Sequence, residues 1–166
     1  MKYAIVYASK TGNTRLLAET IRSLLPAQDL IYFGEPSREA LSAQRIYAGF
    51  WTDKGTCDAA FAEFLKTLTD QQLFLFGTAG FGGAPGYYEK ILDRVKALLP
   101  QGVRVLGTYL CQGKMPMSVR DRYEKLQKSP VPVPNLKAMI ENFDRALSHP
   151  DGEDLEGLKQ AVRETL

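Results

Sequence analysis

The chain has 166 residues and a formal net charge of +2, from 21 basic and 19 acidic side chains. That is the length of one domain with a sizeable core, and the even charge balance carries no nucleic-acid footprint. Two cysteines make no disulfide scaffold, the apolar runs fall short of the roughly 20 residues of a membrane span, and no signal-peptide pattern opens the chain, so a cytoplasmic monomer is expected.

Tyr3–Tyr7 (YAIVY) has the composition of a strand buried on both faces. The polar stretch Ala8–Thr14 follows. Thr14–Leu25 spaces Leu16, Leu17, Ile21, Leu24 and Leu25 as a helix does, and Pro26 stops it. Leu30–Phe33 is a second strand, Ser37–Leu41 a short helix, and Arg45–Trp51 a third strand. Cys57–Leu68 places Phe61, Phe64, Leu65 and Leu68 on one helical face. Leu73–Gly77 is a fourth strand, almost free of polar residues and therefore central. Tyr87–Leu99 is a helix with Tyr88, Ile91, Leu92, Val95 and Leu98 inward, and Val103–Leu110 is a fifth strand. Beyond it come an exposed charged helix (Ser118–Lys128), a proline-rich linker (Pro130–Pro134), an amphipathic helix (Leu136–Leu147) that serves as the final core helix, and a last helix within Asp154–Leu166. The expected whole is a single α/β domain over residues 1–166, with a helical C-terminal extension from about residue 149. Strands alternating with helices imply a parallel sheet covered on both faces. Such sheets bind ligands beyond the carboxyl ends of their strands.

Three loops at that edge carry chemistry. Ser9-Lys10-Thr11-Gly12-Asn13-Thr14 leads straight into a helix. Three hydroxyls, an amide and a glycine at a helix N-terminus suit a phosphate, because free N–H groups and the positive end of the macrodipole point there. A plain N-cap would need only one of them. No Walker pattern occurs. After the third strand stands Trp51, the chain's single tryptophan. It either lines a planar cofactor or packs at the strand's end. Asp53 and Thr56 read as turn or cap residues. After the fourth strand, Gly77–Tyr88 holds five of the 14 glycines and three aromatic rings. The glycines let backbone approach a flat ligand, and Phe81 has little neighbouring bulk to bury it. No Gly-x-Gly-x-x-Gly fingerprint follows the first strand, which disfavours a nicotinamide site. Together the loops call for a ligand with a phosphate at one end and a planar ring system at the other, as in a flavin mononucleotide.

The segment Ser9 to Thr14 resembles the Ser/Thr-x-Thr-Gly-x-Thr phosphate loop of the flavodoxin family, and Thr78-Ala79-Gly80-Phe81-Gly82 resembles its second flavin-contacting loop. The likeness spans roughly residues 1–148. It implies a flavodoxin-like three-layer sandwich with strand order 2-1-3-4-5 and a non-covalent FMN. It makes Ser9, Lys10, Thr11, Gly12, Asn13 and Thr14 phosphate contacts. Trp51, Thr52, Thr78, Ala79, Gly80, Phe81 and Gly82 would surround the ring, and Lys54-Gly55 would be the peptide that flips beside it. It implies electron transfer to a redox partner protein, with no catalytic acid or base and no metal.

The chain departs from the acidic carriers of that family in its pI of 8.5 and in the segment Cys111–Met117 with the charged helix after it. It looks closer to the small flavodoxin-like proteins that accompany bilirubin reductases. Two alternatives stay open. One is an FMN-dependent reductase or oxidase acting directly on a small aromatic or tetrapyrrole substrate. The other is a phosphate-binding regulatory module without flavin. Cys57 opens a helix whose dipole would lower its pKa. Cys57 and Cys111 are either core residues or a redox pair. Met115 and Met117 either offer an adaptable contact surface or fill a gap. His149, beside Pro150, reads as a surface turn residue.

Overall fold

Strand β1 (Tyr3–Tyr7) pairs in parallel with β2 (Leu30–Gly34) on one side and β3 (Arg45–Trp51) on the other. Strand β4 (Gln72–Ala79) joins β3 to β5 (Arg104–Gln112), again in parallel. The computed structural model describes residues 1–166. Its sheet order is β2-β1-β3-β4-β5, the order implied by the family resemblance.

The period-two alternation of strands splits the core into two. Ala4, Val6, Ile46, Ala48, Phe50, Leu73 and Leu75 face one way, and helices α2 (Ala59–Lys66) and α3 (Tyr87–Lys96) cover them with Phe61, Leu65, Ile91 and Val95. Tyr3, Ile5, Tyr47, Phe74 and Phe76 face the other way. Leu17 and Ile21 of α1 (Asn13–Leu24) and Leu158 and Val162 of α6 (Gly152–Arg163) cover that side. Each such aliphatic side chain contributes about 1.5–3 kcal/mol through burial. Leu16, on the far side of α1, is exposed. No helix is long and apolar enough to cross a membrane.

Strands β4 and β5 each run two residues past their expected ends. Thr78 pairs with Cys111 and Ala79 with Gln112, so the sheet continues to the edge of the glycine-rich loop.

The tail differs from expectation. Helix α5 (Leu136–Ala146) was expected to be the final core helix, with an extension after residue 149. The final core helix is α6, whose Leu158 and Val162 are fully buried against the α1 side of the sheet. Three forces hold it there. Asp151 and Asp154 form a reciprocal capping box at its start. Tyr109 of β5 donates to the Asp154 carbonyl at 2.6 Å. Gly157 lets the Tyr109 ring approach, since a Cβ there would lie 2.8 Å from its hydroxyl. Helices α4 (Met117–Gln127) and α5, which come between β5 and α6 in the chain, instead pack on each other, joined by the Arg120–Asp144 ion pair and by Arg120 over the Phe143 ring.

Candidate functional site

The first loop builds an anion cradle. Gly12 caps α1 in the left-handed conformation, φ 89°, and no side chain caps the helix. The Ser9 hydroxyl turns inward and accepts from the Gly12 and Arg15 N–H groups at 3.2 and 3.4 Å. The amides of Lys10, Thr11, Asn13 and Thr14 are left with no acceptor in the protein. Four free N–H groups at the positive end of a 12-residue helix are a donor set for an oxyanion. The Thr14 hydroxyl is fully buried. It lies 3.2 Å from the Phe50 carbonyl and 3.1 Å from the Thr78 hydroxyl, so it ties α1 to β3 and β4.

The second loop is a hairpin. Asp53 and Thr56 bridge, while Lys54 and Gly55 both take positive φ, 53° and 85°, as a two-residue type I′ turn requires. Arg94 of α3 donates to the Gly55 carbonyl at 3.1 Å. The Trp51 indole N–H donates to the Asp58 carboxylate at 3.2 Å, and the same side chain caps α2 by accepting from Phe61 N–H at 2.8 Å. The cap residue is therefore Asp58 rather than Asp53 or Thr56. The Lys10 ammonium lies 5.1 Å from the centroid of the Trp51 ring.

The third loop is held from below. The Gly80 carbonyl accepts from Gln112 Nε2 and from Asn142 Nδ2, each at 3.0 Å, and Gln112 also donates to the Asn142 side-chain oxygen. Asn142 is buried, so this network fixes the backbone of the loop to α5. Phe81 stands exposed above it, 41% accessible.

These loops meet in one cleft of about 570 Å³. Lys10, Thr11, Asn13, Trp51, Thr52, Thr78, Ala79, Gly80 and Phe81 line it, all anticipated from sequence. Four anticipated residues stand outside its lining: Ser9, Gly12, Thr14 and Gly82. Ser9 lines a neighbouring cavity of about 550 Å³ on the other side of Trp51. Gly82 lies under Tyr88 and Gln112.

The far wall comes from the Cys111–Met117 segment and α4, none of whose residues is among the expected cofactor contacts. Gly113, Lys114, Met115, Pro116, Ser118, Val119 and Arg122 also line the cleft. The Lys114 carbonyl accepts from Asn13 Nδ2 at 2.8 Å and from the Thr11 hydroxyl at 3.4 Å, which draws the segment over the phosphate loop. Met115 packs on Gly80, where a Cβ would fall 2.7 Å from its sulfur. Ser118, Val119 and Arg122 follow the i, i+1, i+4 spacing of one face of α4. That spacing was present in a helix read as merely exposed. Met117, by contrast, is 59% exposed, so the two methionines divide between filling and exposure.

The cysteines stand apart from this site. Cys57 belongs to the core under α2 and Cys111 to the core under α1, on opposite faces of the sheet, so they are no redox pair. Burial pushes the Cys57 thiol up, against the lowering expected from a helix dipole, because it precedes the cap and points into the core. Burial pushes the Cys111 thiol up as well, with Asp154 and Asp151 adding to the shift. Burial likewise raises the Tyr88 phenol to about 12. The fold thus prefers these groups protonated. Their stabilisation is complete below the ordinary thiol value of 9.0 and is lost as pH rises above it. Unfolding midpoints measured from pH 8 upward are expected to fall beyond about pH 9, and Cys111→Ala is expected to flatten that fall.

His149 is more embedded than a surface turn residue. Its Nδ1 lies 2.7 Å from Asp154 Oδ2, and its carbonyl accepts from Lys114 N–H at 2.9 Å. It anchors the segment that walls the cleft.

Residues 4–163 match the Flavodoxin domain family model, which carries the likeness past residue 148 and through α6. A flavodoxin-like domain-containing protein, BilS, from Clostridium symbiosum is 41% identical over 93% of this chain and 90% of its own. Flavodoxin 2 from Bacillus cereus superposes with a TM-score of 0.63 at 17% identity, over 99% of this chain and 97% of that one. A Fusobacterium nucleatum flavodoxin bound to flavin mononucleotide does so at 0.53 and 15% identity, over 87% and 95%. At such identities the two structures establish the fold, while the family match and the BilS relative establish descent. The chain belongs to the flavodoxin family, whose members carry FMN and transfer electrons.

Proposed function

We propose that this protein holds FMN in the cleft between its three loops and passes electrons to a partner enzyme. The carrying observation is the meeting, in one cleft, of an uncapped helix N-terminus and a glycine-rich aromatic loop. The residues fit the cofactor at both ends. Four free amides and Lys10 answer a phosphate dianion. Trp51 and Phe81 offer ring faces beside the Gly80 backbone. A volume of about 570 Å³ lies within the range of small-molecule sites.

Bound FMN supplies reversible storage of one or two electrons. The protein's own groups do the rest. Ser9 braces the cradle by accepting from two amides, and Asn13 locks the cradle to the far wall. Gln112 and Asn142 set the orientation of the Gly80 peptide. Arg94 holds the Lys54-Gly55 hairpin, whose carbonyls and N–H groups would border the ring. The resemblance to small flavodoxin-like proteins that accompany bilirubin reductases supports, as the partner, an enzyme that reduces a tetrapyrrole.

One feature favours the second reading, direct reduction of the tetrapyrrole at the flavin. The Cys111–Met117 segment closes one side of the cleft, with Met115 over Gly80. Anaerobic reductive titration of the FMN-loaded protein separates the two. Two resolved one-electron steps, with no direct reduction by a nicotinamide, are the result expected of a carrier. A single two-electron step driven by NADH or NADPH, with bilirubin consumed in the absence of any other protein, overturns it.

A further inference from the structure

The rim of the cleft is lopsided in charge. Lys54 and Arg94 stand on the hairpin side, and Lys114 and Arg122 on the far wall. All four are exposed. None lies within 4.0 Å of a carboxylate, whereas Arg120, on another face of α4, is paired twice. Asp53 is the single acidic residue lining the cleft. A phosphate is already answered by Lys10 and the α1 amides, which leaves Lys54, Lys114 and Arg122 free to act outward, with Arg94 adding its charge from the hairpin that it holds.

Phe81 and Met117, 41% and 59% accessible, supply exposed apolar surface beside them. Arginine, aromatic and methionine side chains with a polar rim are the chemistry of a protein contact. A small dicarboxylate would be held by cations that converge and are partly buried. Here the charges are spread over the hairpin, α3, the Cys111–Met117 segment and α4, and all are exposed. We infer that this cationic rim docks an acidic face of the redox partner protein, and that the charge steers the encounter. The inference deepens the carrier reading and rests on it.

The test uses FMN-loaded, chemically reduced protein in anaerobic stopped flow. The probes are an acidic b-type and a basic c-type cytochrome, from low salt to about 0.5 M NaCl. The second-order rate constant with the acidic cytochrome is expected to fall about tenfold or more as salt rises, and that with the basic one to increase. The double variant Lys54→Glu/Arg122→Glu, checked for bound flavin by its fluorescence, is expected to reverse both trends. Rate constants indifferent to salt, or moving in the same direction for both probes, overturn the inference and leave the carrier reading standing. Salt-sensitive reduction of bilirubin itself, with both cytochromes indifferent, overturns it in favour of a small anionic substrate. A protein that takes up no FMN, or reduces neither cytochrome at any salt, overturns the carrier reading as well.

Discussion

Asn13→Asp is expected to weaken FMN binding about 100-fold or more, equivalent to roughly 2.7 kcal/mol. Two effects act together. The substitution removes the N–H that donates at 2.8 Å to the Lys114 carbonyl and sets a carboxylate against that carbonyl. It also places negative charge beside the seat of a phosphate dianion, at a side chain that is 7% accessible and so weakly screened. The helix dipole favours an acidic group at this end, so the fold tolerates the change better than the cofactor does. Asn13→Ala separates the contributions, since it loses the tether and adds no charge. Flavin fluorescence quenching is expected to show a loss of about tenfold for alanine. Added salt should recover part of the aspartate loss and none of the alanine loss. Equal affinities for the two variants would show that charge has no part in the effect.

The second large effect concerns stability. Gly49→Val in β3 is expected to cost about 3 kcal/mol and to lower the unfolding midpoint by roughly 6–12 °C. A Cβ at Gly49 would come within 3.0 Å of three ring atoms of Phe76 on the neighbouring strand. That ring has no room to move, because it is fully buried in the core under α1 and α6. The double variant Gly49→Val/Phe76→Leu is expected to regain part of the loss, giving a favourable coupling in a double-mutant cycle. Additive losses would remove the close approach as the cause.

The strands were legible in the sequence because each is an uninterrupted apolar run bounded by polar turns, as in YAIVY and LFLFG. Two of the three ligand loops were legible because their unusual letters, Thr-Gly-Asn-Thr and the clustered glycines, follow directly on strands. The tail was misassigned for a physical reason. Helix α5 is strongly amphipathic, but it spends its apolar face on α4 and its buried Asn142 on the Gly80 carbonyl. Periodicity reports that a face is buried, not what buries it. The far wall's tie to the phosphate loop was hidden for a related reason. Lys114 meets that loop across separations of 101 and 103 residues, by way of a backbone carbonyl that has no letter of its own, and Ser118 and Arg122 line the cleft beyond it. Thr14 divides its two groups: its amide is one of the free donors of the cradle, while its hydroxyl is bonded inside the sheet edge.

The sulfur atoms of Cys57 and Cys111 lie under different helical layers with the hydrogen-bonded sheet between them. No dithiol couple can therefore operate inside the folded molecule. The polypeptide thus holds no internal dithiol store, and in the proposed carrier role its reducing equivalents would travel on the flavin alone.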